Sequence, residues 1–460
     1  MAGLEWSVRQ GLLRNLTSQL FTRLFSNIGV RLLQVPILLR ALGGDDYGRW
    51  LLLSTVPAWL ALSNLGFGTV AGNGMLMSVA SGDLKRASTC YAAAWKAALL
   101  ATAVLLTPVL AGTLLMPVEH WVGIGSDRAW EVRTGLCYLC LSVLLSLFTE
   151  VLSLRLRAGR RSDAAAYLNG LQLWVELLLV GWVAWVGAGF DRLGLANLAS
   201  TVVGILLTFV AGRGLLPGLR FDRRAAGRRD VFGLLRQGLQ YQSLPMGHAL
   251  ILQGQLMAVH AALGSAAVAV FGTTRTLVRL ASQSTELVNH SVWPEMSRLF
   301  GRGETERAAR LHRLSVIASL ATALVASLVL GVAGRPLYAW WTDGILDVDG
   351  SLLLCLLASV PFNALWYTSS MVHLSCNRYG GLAWRYLAAA ALSLAACRVM
   401  ASAFGLPGAA LSTLVCDALM IPFVLSVSLR LTGDKASDMA GRMRADLASL
   451  YLFRRWGGKG

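Results

Sequence analysis

The sequence predicts an all-α membrane protein of twelve spans, arranged as two six-helix lobes related by a parallel internal repeat. Three observations predict it. Only 14% of the 460 side chains are charged, against about 25% in soluble domains, while 55% are apolar and the mean hydropathy is +0.58. Apolar runs of about 20 residues, the length that crosses a hydrocarbon core, recur from one end of the chain to the other. Two motifs also recur at one and the same offset, with no gap needed between them: Ala41-Leu42-Gly43 with Ala262-Leu263-Gly264, and Gly82-Asp83-Leu84-Lys85-Arg86-Ala87 with Gly303-Glu304-Thr305-Glu306-Arg307-Ala308. A soluble globular protein is excluded.

The apolar periodicity places spans at residues 16–40, 50–72, 88–112, 134–156, 164–187 and 194–212, then at 236–259, 266–291, 314–334, 351–374, 382–402 and 407–429. The first of these follows Arg9 and Arg14 without a small-residue cleavage pattern, so it reads as a span and not as a removable signal. Residues 1–212 form the first lobe, 213–235 a basic linker, 236–430 the second lobe and 431–460 a basic tail. Both motif pairs fall at equivalent places, just before and just after the second span of each lobe. Six spans per lobe give the two copies the same orientation, related by an axis along the membrane normal.

The charge balance of +17 follows from this topology. Of the 41 Lys and Arg, 29 fall on the side of the termini and 6 on the opposite side, with 6 inside spans. The positive-inside rule therefore assigns both termini to the cytoplasm and accounts for the basic excess without a nucleic-acid partner. The linker, RGLLPGLRFDRRAAGRRDVFGLLR, is dense enough in arginine to meet anionic membrane lipids as well.

Ionisable groups deep in a span cost at least ~2.5–3.5 kcal/mol, so they face protein or a hydrated cavity. In the first span Arg23, Asn27, Arg31 and Gln34 recur at i, i+4, i+8 and i+11, which aligns them on one helix face. In the eighth, Arg275, Arg279, Ser282, Glu286 and Asn289 follow the same arithmetic, and the seventh carries Gln237, Tyr241, His248 and Gln255. An excess of arginine suits an anion, above all a phosphate or diphosphate that takes a planar multi-donor fork. Arg23, Asn27, Arg31, Gln34, Lys96, Arg275 and Arg279 are the candidate substrate-binding groups. Snorkelling to the headgroups is the competing reading of Arg23 and Lys96. An Arg279–Glu286 ion pair is the competing reading of that stripe, and Glu286, Asp417 and Glu176 are coupling or ion-pair candidates. Glu150, near a span end, reads as structural.

The remaining chemistry-bearing residues carry less. Seven cysteines lie in or beside apolar runs, and Cys137 and Cys140 form a CxxC with no second pair. His248, His290 and His373 are too scattered for a metal site. Asn15-Leu16-Thr17 and Asn289-His290-Ser291 fall at or in spans, where no glycan could be attached. Trp50, Trp121, Trp182, Trp185, Trp340 and Trp341 lie near span ends and read as interfacial anchors. The sequence calls for no cofactor, and H⁺ or Na⁺ coupling stays open.

The stretch LLRALGGDDYGRWLLLSTVPAWLALSNLGFG, with GNGM and ASGDLKRA after it, resembles the opening of bacterial polysaccharide (O-antigen type) flippases of the multidrug/oligosaccharidyl-lipid/polysaccharide (MOP) superfamily. ALGSAAVAVFGTTRTLVRLASQSTELVNHSVWPEMSRLFGRGE resembles its counterpart in the second half. The resemblance spans nearly the whole chain. It implies a V-shaped pair of lobes in the bacterial inner membrane, with alternating access through a cationic central cavity. Its cargo would be an undecaprenyl-diphosphate-linked oligosaccharide moved from the cytoplasmic to the periplasmic leaflet, with polysaccharide polymerase machinery as a downstream partner. A cation-coupled drug exporter of the same superfamily is the alternative, for which an acidic cavity is expected. A major-facilitator transporter shares the six-plus-six plan, but ASGDLKRA stands in place of its Gly-x-x-x-Asp-Arg loop. A membrane polymerase or glycosyltransferase would need catalytic carboxylates or a metal site outside the membrane; the longest outer loop holds Glu119, His120, Asp127 and Glu131 without a paired-carboxylate motif, and residues 335–350 hold Asp343, Asp347 and Asp349.

Overall fold

A computed structural model describes residues 26, 29–64, 66–159, 161–215, 225–376 and 380–456. Every regular element among them is helical, as the 3.6-residue periodicity requires. The first half contains α1 (Val30–Leu53), α2 (Thr55–Leu60), α3 (Phe67–Ala80), α4 (Leu84–Leu115), α5 (Ala129–Ala158), α6 (Ser162–Gly187) and α7 (Phe190–Gly212). There follow α8 (Arg228–Ala249), α9 (Gln255–Leu263), α10 (Ser265–Gly301), α11 (Thr305–Trp341), α12 (Gly350–Ser375), α13 (Gly380–Thr432) and α14 (Ala436–Trp456).

Eight helical stretches among the described residues are long and apolar enough to cross a membrane. Two of them hold two spans each. Gly43 turns the chain inside α1 with φ 75°, and Gly405 turns it inside α13 with φ 65°, conformations open to glycine and strained for residues with a Cβ. The seventh and eighth spans, α8–α9 and α10, fall short in apolarity because they carry the polar stripes seen in the sequence.

The duplication is visible in the backbone. Gly43 and Gly264, which occupy the same place in the two copies, share one left-handed conformation at φ 75° and 85° with ψ near 180°. Gly82 and Gly303 keep the same spacing at φ 78° and 73°, and so do Gly123 and Gly344 at φ 72° and 69°. The last pair lies outside both sequence motifs. In each copy one glycine separates the first two spans, one closes the turn after the second, and one sits beyond the third.

Several elements differ from the sequence expectation, each for a local reason. The second span is interrupted by a 3₁₀ turn at Ala61–Asn64 and by Gly66 at φ 65°, so it consists of α2 and α3. The seventh is widened by a π-turn at Leu250–Gly254. The basic tail contains a 21-residue helix, α14. Two compact units result, residues 1–245 and 246–460, so the division falls inside the seventh span and beyond the expected linker. The reason is packing: Ala226, Val231 and Leu234 are buried with Phe67, Met75, Tyr91 and Leu147 in the first unit's core, and Lys96 donates from Nζ to the Ala226 carbonyl at 2.6 Å.

Helices within each unit approach closely through small residues, which is how membrane helices pack without a hydrophobic drive between them. A Cβ on Gly194 of α7 would lie 2.5 Å from the Gly135 carbonyl oxygen of α5. Large apolar side chains point outward instead, as Leu328 and Val332 do at 70% and 77% exposure. Trp182, Trp185 and Trp340 are exposed and fit the anchor role, whereas Trp50 is buried in a stack with Phe190 (centroids 6.3 Å) and Trp341 is buried against Tyr338. Those two are core residues and not anchors.

Candidate functional site

In the first unit the polar groups of four helices converge on Glu176 of α6. Asn197 of α7 donates from Nδ2 to Glu176 Oε1 at 3.1 Å, and Ser142 of α5 donates to Asn197 Oδ1 at 2.6 Å. From α1, Gln34 and the exposed Arg31 both act on Glu176 electrostatically. Arg31 and Gln34 lie one turn apart, so the spacing read from the sequence does put both on the face that meets α6. Arg23 and Asn27, the other half of that stripe, lie outside the described residues.

A second carboxylate, Glu150 of α5, takes a short hydrogen bond from Asn64 Nδ2 in the broken second span, and its side chain lies where a Cβ on Gly68 would sit. The same break frees the Leu62 carbonyl, which accepts from Gln242 Nε2 at 2.8 Å. Beside Glu150 opens a cavity of about 640 Å³ between α5, α6 and α7, with Ser146, Thr149, Ser153, Asn169 and Gln172 among its lining. Lys96 donates to the Ala226 carbonyl and so fastens the linker to α4.

The second unit shows why two arginines one turn apart can have different roles. A π-turn directs each backbone N–H to the carbonyl five residues back, which leaves carbonyls of Leu250–Gly254 without their usual partners. Arg275 fills this gap, donating from Nη2 to the Leu252 carbonyl at 2.7 Å and from Nη1 to that of Ile251 at 3.4 Å, over the Phe271 ring. Arg279 is exposed, and among the described residues it has no hydrogen-bond or ion-pair partner. The expected alternative, a pair with Glu286, does not form among the described residues, although Glu286 is half-buried on the same helix.

Asp417 is 2% exposed. Its Oδ1 accepts from Trp366 Nε1 at 2.7 Å and from Asn363 Nδ2 at 3.3 Å, while Oδ2 has no partner. The Trp366 ring lies 5.3 Å from that of Tyr386, whose hydroxyl is 3.2 Å from Nδ1 of the exposed His248. Sequence reasoning missed Asn197, Asn363, Trp366 and Tyr386, because their role rests on a partner that another helix brings, which spacing along one helix does not show.

Three of the loop carboxylates have partners of their own. Arg133 grips Glu119 through two hydrogen bonds of 2.6 and 2.9 Å, Arg128 bridges Glu131 and Asp46, and Asp349 directs both oxygens to Ser351 as a helix cap.

No family model matches the chain, and no curated protein matches its sequence. Solved structures do match its fold. A multidrug resistance MATE family transporter of the MOP superfamily, in its inward-facing conformation, superposes with a TM-score of 0.73 at 14% identity, covering 91% of this chain and 99% of that one. A MATE structure in complex with MaL6 gives 0.65 at 13%, covering 92% and 97%. A MOP superfamily transporter from Pyrococcus furiosus, described as having a binding pocket of reversed polarity that suggests a different function, gives 0.64 at 13%, covering 92% and 96%. The class is thus set by architecture: this is a multi-pass, all-helical membrane fold among the described residues. Within that class the fold is the one it shares with these MATE structures.

Proposed function

We propose that the protein moves an undecaprenyl-diphosphate-linked oligosaccharide, an O-antigen or other surface-polysaccharide repeat unit, from the cytoplasmic to the periplasmic leaflet by alternating access. One observation carries this reading. Arg279 is an exposed guanidinium on a polar span with no protein partner among the described residues, whereas Glu176, Glu150 and Asp417 all accept hydrogen bonds from neutral amides or an indole. The exposed charge without a partner on this span is cationic, and an anionic cargo complements it. Arg31 adds a second exposed guanidinium in the first unit, beside Glu176, and Arg275, one turn from Arg279 on the same helix, holds the π-turn. The second reading, a cation-coupled drug exporter, is favoured by the buried carboxylates Glu176 and Asp417, which under either reading are the H⁺ or Na⁺ coupling candidates, with Glu286 a third. The setting of this proposal is the bacterial inner membrane, both termini cytoplasmic, with a polysaccharide polymerase receiving the product.

The test is reconstitution in liposomes with a labelled undecaprenyl-diphosphate oligosaccharide, scored by leaflet accessibility. Flipping that falls at least about tenfold in Arg279→Ala, the loss of one charge-assisted contact, and partly returns in Arg279→Lys supports the flippase. Arginine-independent flipping, or efflux of a cationic drug with no effect on the lipid, refutes it.

A further inference from the structure

Where α3, the start of α4 and the first half of α8 meet, the first unit holds another cavity, of about 580 Å³. Its lining is graded along the helices. Ser81, Asp83, Arg86, Arg229 and Asp230 stand at the end formed by the turn after the second span and the first turn of α8, while Val70, Ala71, Ala93 and Leu234, with the neutral amide of Gln237, line the other end. Arg86 and Ala93 lie two helical turns apart on α4, about 10 Å of rise. The wall therefore passes from charged to apolar within the depth that a phospholipid takes to pass from headgroup to acyl chain.

The charged end contains two guanidinium groups and two carboxylates that do not neutralise each other. Asp83 Oδ1 accepts the Arg86 backbone N–H at 2.9 Å, capping α4, and Asp230 Oδ2 accepts the Gly227 N–H at 2.6 Å. Among the described residues neither carboxylate forms an ion pair, and neither guanidinium does. Arg86, Asp83 and Asp230 nevertheless all lie near enough to the Cys90 thiol, itself in the cavity wall, to act on it electrostatically.

The internal repeat supplies a control. At the positions equivalent to Asp83 and Arg86 in the second copy, Glu304 and Arg307 close a 2.6 Å ion pair. Glutamate is one methylene longer and reaches across to the arginine. Aspartate folds back onto the helix start and leaves the arginine turned into the cavity. In the first copy, where α8 brings a second Arg and a second Asp to the same opening, the pair stays open.

We propose that this cavity binds the headgroup of a zwitterionic aminophospholipid. The phosphate lies against Arg86 and Arg229, whose forks match its oxygens, and the primary ammonium donates to Asp83 and Asp230. The glycerol and upper acyl carbons run along Val70, Ala71, Ala93 and Leu234. A headgroup without an amine would leave two carboxylates facing its phosphate unpaired, an unfavourable arrangement. A polyprenyl diphosphate has two phosphates and no amine and fits worse still.

The test uses the full chain with Cys90 as the single cysteine, the other six replaced by alanine, purified in detergent and titrated separately with phosphatidylethanolamine, phosphatidylcholine, phosphatidylglycerol and undecaprenyl diphosphate. Maleimide labelling of Cys90 localises binding, and native mass spectrometry counts retained lipid. Phosphatidylethanolamine is expected to protect Cys90 at the lowest concentration. Arg86→Ala or Arg229→Ala should raise that concentration about tenfold, as for the loss of one charge-assisted hydrogen bond. Asp83→Asn with Asp230→Asn, which keeps the capping oxygens, should abolish the preference over phosphatidylglycerol. Equal protection by phosphatidylglycerol or undecaprenyl diphosphate in the parent protein, indifference to the two Asp→Asn changes, or no protection by any lipid overturns the proposal.

Discussion

Arg275 and Arg279 share a helix face, but their surroundings separate what they do. Arg275 is held by two backbone carbonyls of the π-turn, so Arg275→Ala removes a charged hydrogen-bond donor from buried acceptors, at a cost of about 1.5–3 kcal/mol. The expected outcome is a lower melting temperature in detergent and reduced abundance, along with any loss of transport. Arg279→Ala should leave both at parental levels and affect transport alone. A thermal-shift comparison of the two variants decides this, and equal melting temperatures would remove the structural role assigned to Arg275. The sequence placed both arginines on a polar face, because helical periodicity is enough for that. It could not distinguish them, since the difference depends on a widened turn in the preceding span whose only local trace is the glycine at its end.

Loop elements bring protonation into the stability of the molecule. Glu119 lies in a short helical turn outside the spans, and the two hydrogen bonds from Arg133, with a backbone N–H, hold its carboxyl at about 2 against an ordinary value of 4.5. A carboxyl whose folded pKa lies below its unfolded one contributes fully above the unfolded value and loses that contribution as pH falls through the folded one. The Glu119–Arg133 clasp should therefore be intact above pH 4.5 and lost progressively towards pH 2. Melting temperatures of the parent and of Glu119→Gln should converge over that interval; a constant difference down to pH 2 would show that the clasp does not titrate. The α5–α7 crossing makes a complementary prediction. Because an added Cβ at Gly194 meets backbone and not a flexible side chain, Gly194→Val should cost about 1–3 kcal/mol by overpacking, read as lost monodispersity and a lower melting temperature, while Gly112→Val, with nothing within 4 Å, should not. The existence of these helices was legible in apolar run length. Their interruptions were not, because the 3₁₀ turn at Ala61–Asn64 and the π-turn are settled by Gln242 and Arg275, partners distant in sequence.

At the scale of the whole chain, the sequence carried the fold class and the duplication, since both are repeated patterns that need no tertiary information. The boundary between units was less legible: charge density marks 213–235 as a linker, yet Val231 and Leu234 sit on an apolar face that the first unit's core takes up. The tail was read as basic and no more, whereas Arg313, buried in α11, donates hydrogen bonds to Asp434 and to Asp446 of α14 at 2.6–2.8 Å. Arg313→Ala should free α14 and expose it to trypsin, with unchanged cleavage arguing that the helix is held by other contacts. The topology proposal is checked by fusions: a fluorescent reporter should mature at residue 460 and at the linker, and a periplasm-dependent phosphatase should be active only in the loops near residues 125 and 345, with the reverse pattern refuting the cytoplasmic termini.

Three glycine pairs at one unchanging interval mean that the turns after the first, second and third spans recur at the same spacing in the second half of the chain. Severing the gene between Leu215 and Ala225 and expressing the two fragments together should give a complex that co-purifies and complements a deletion strain.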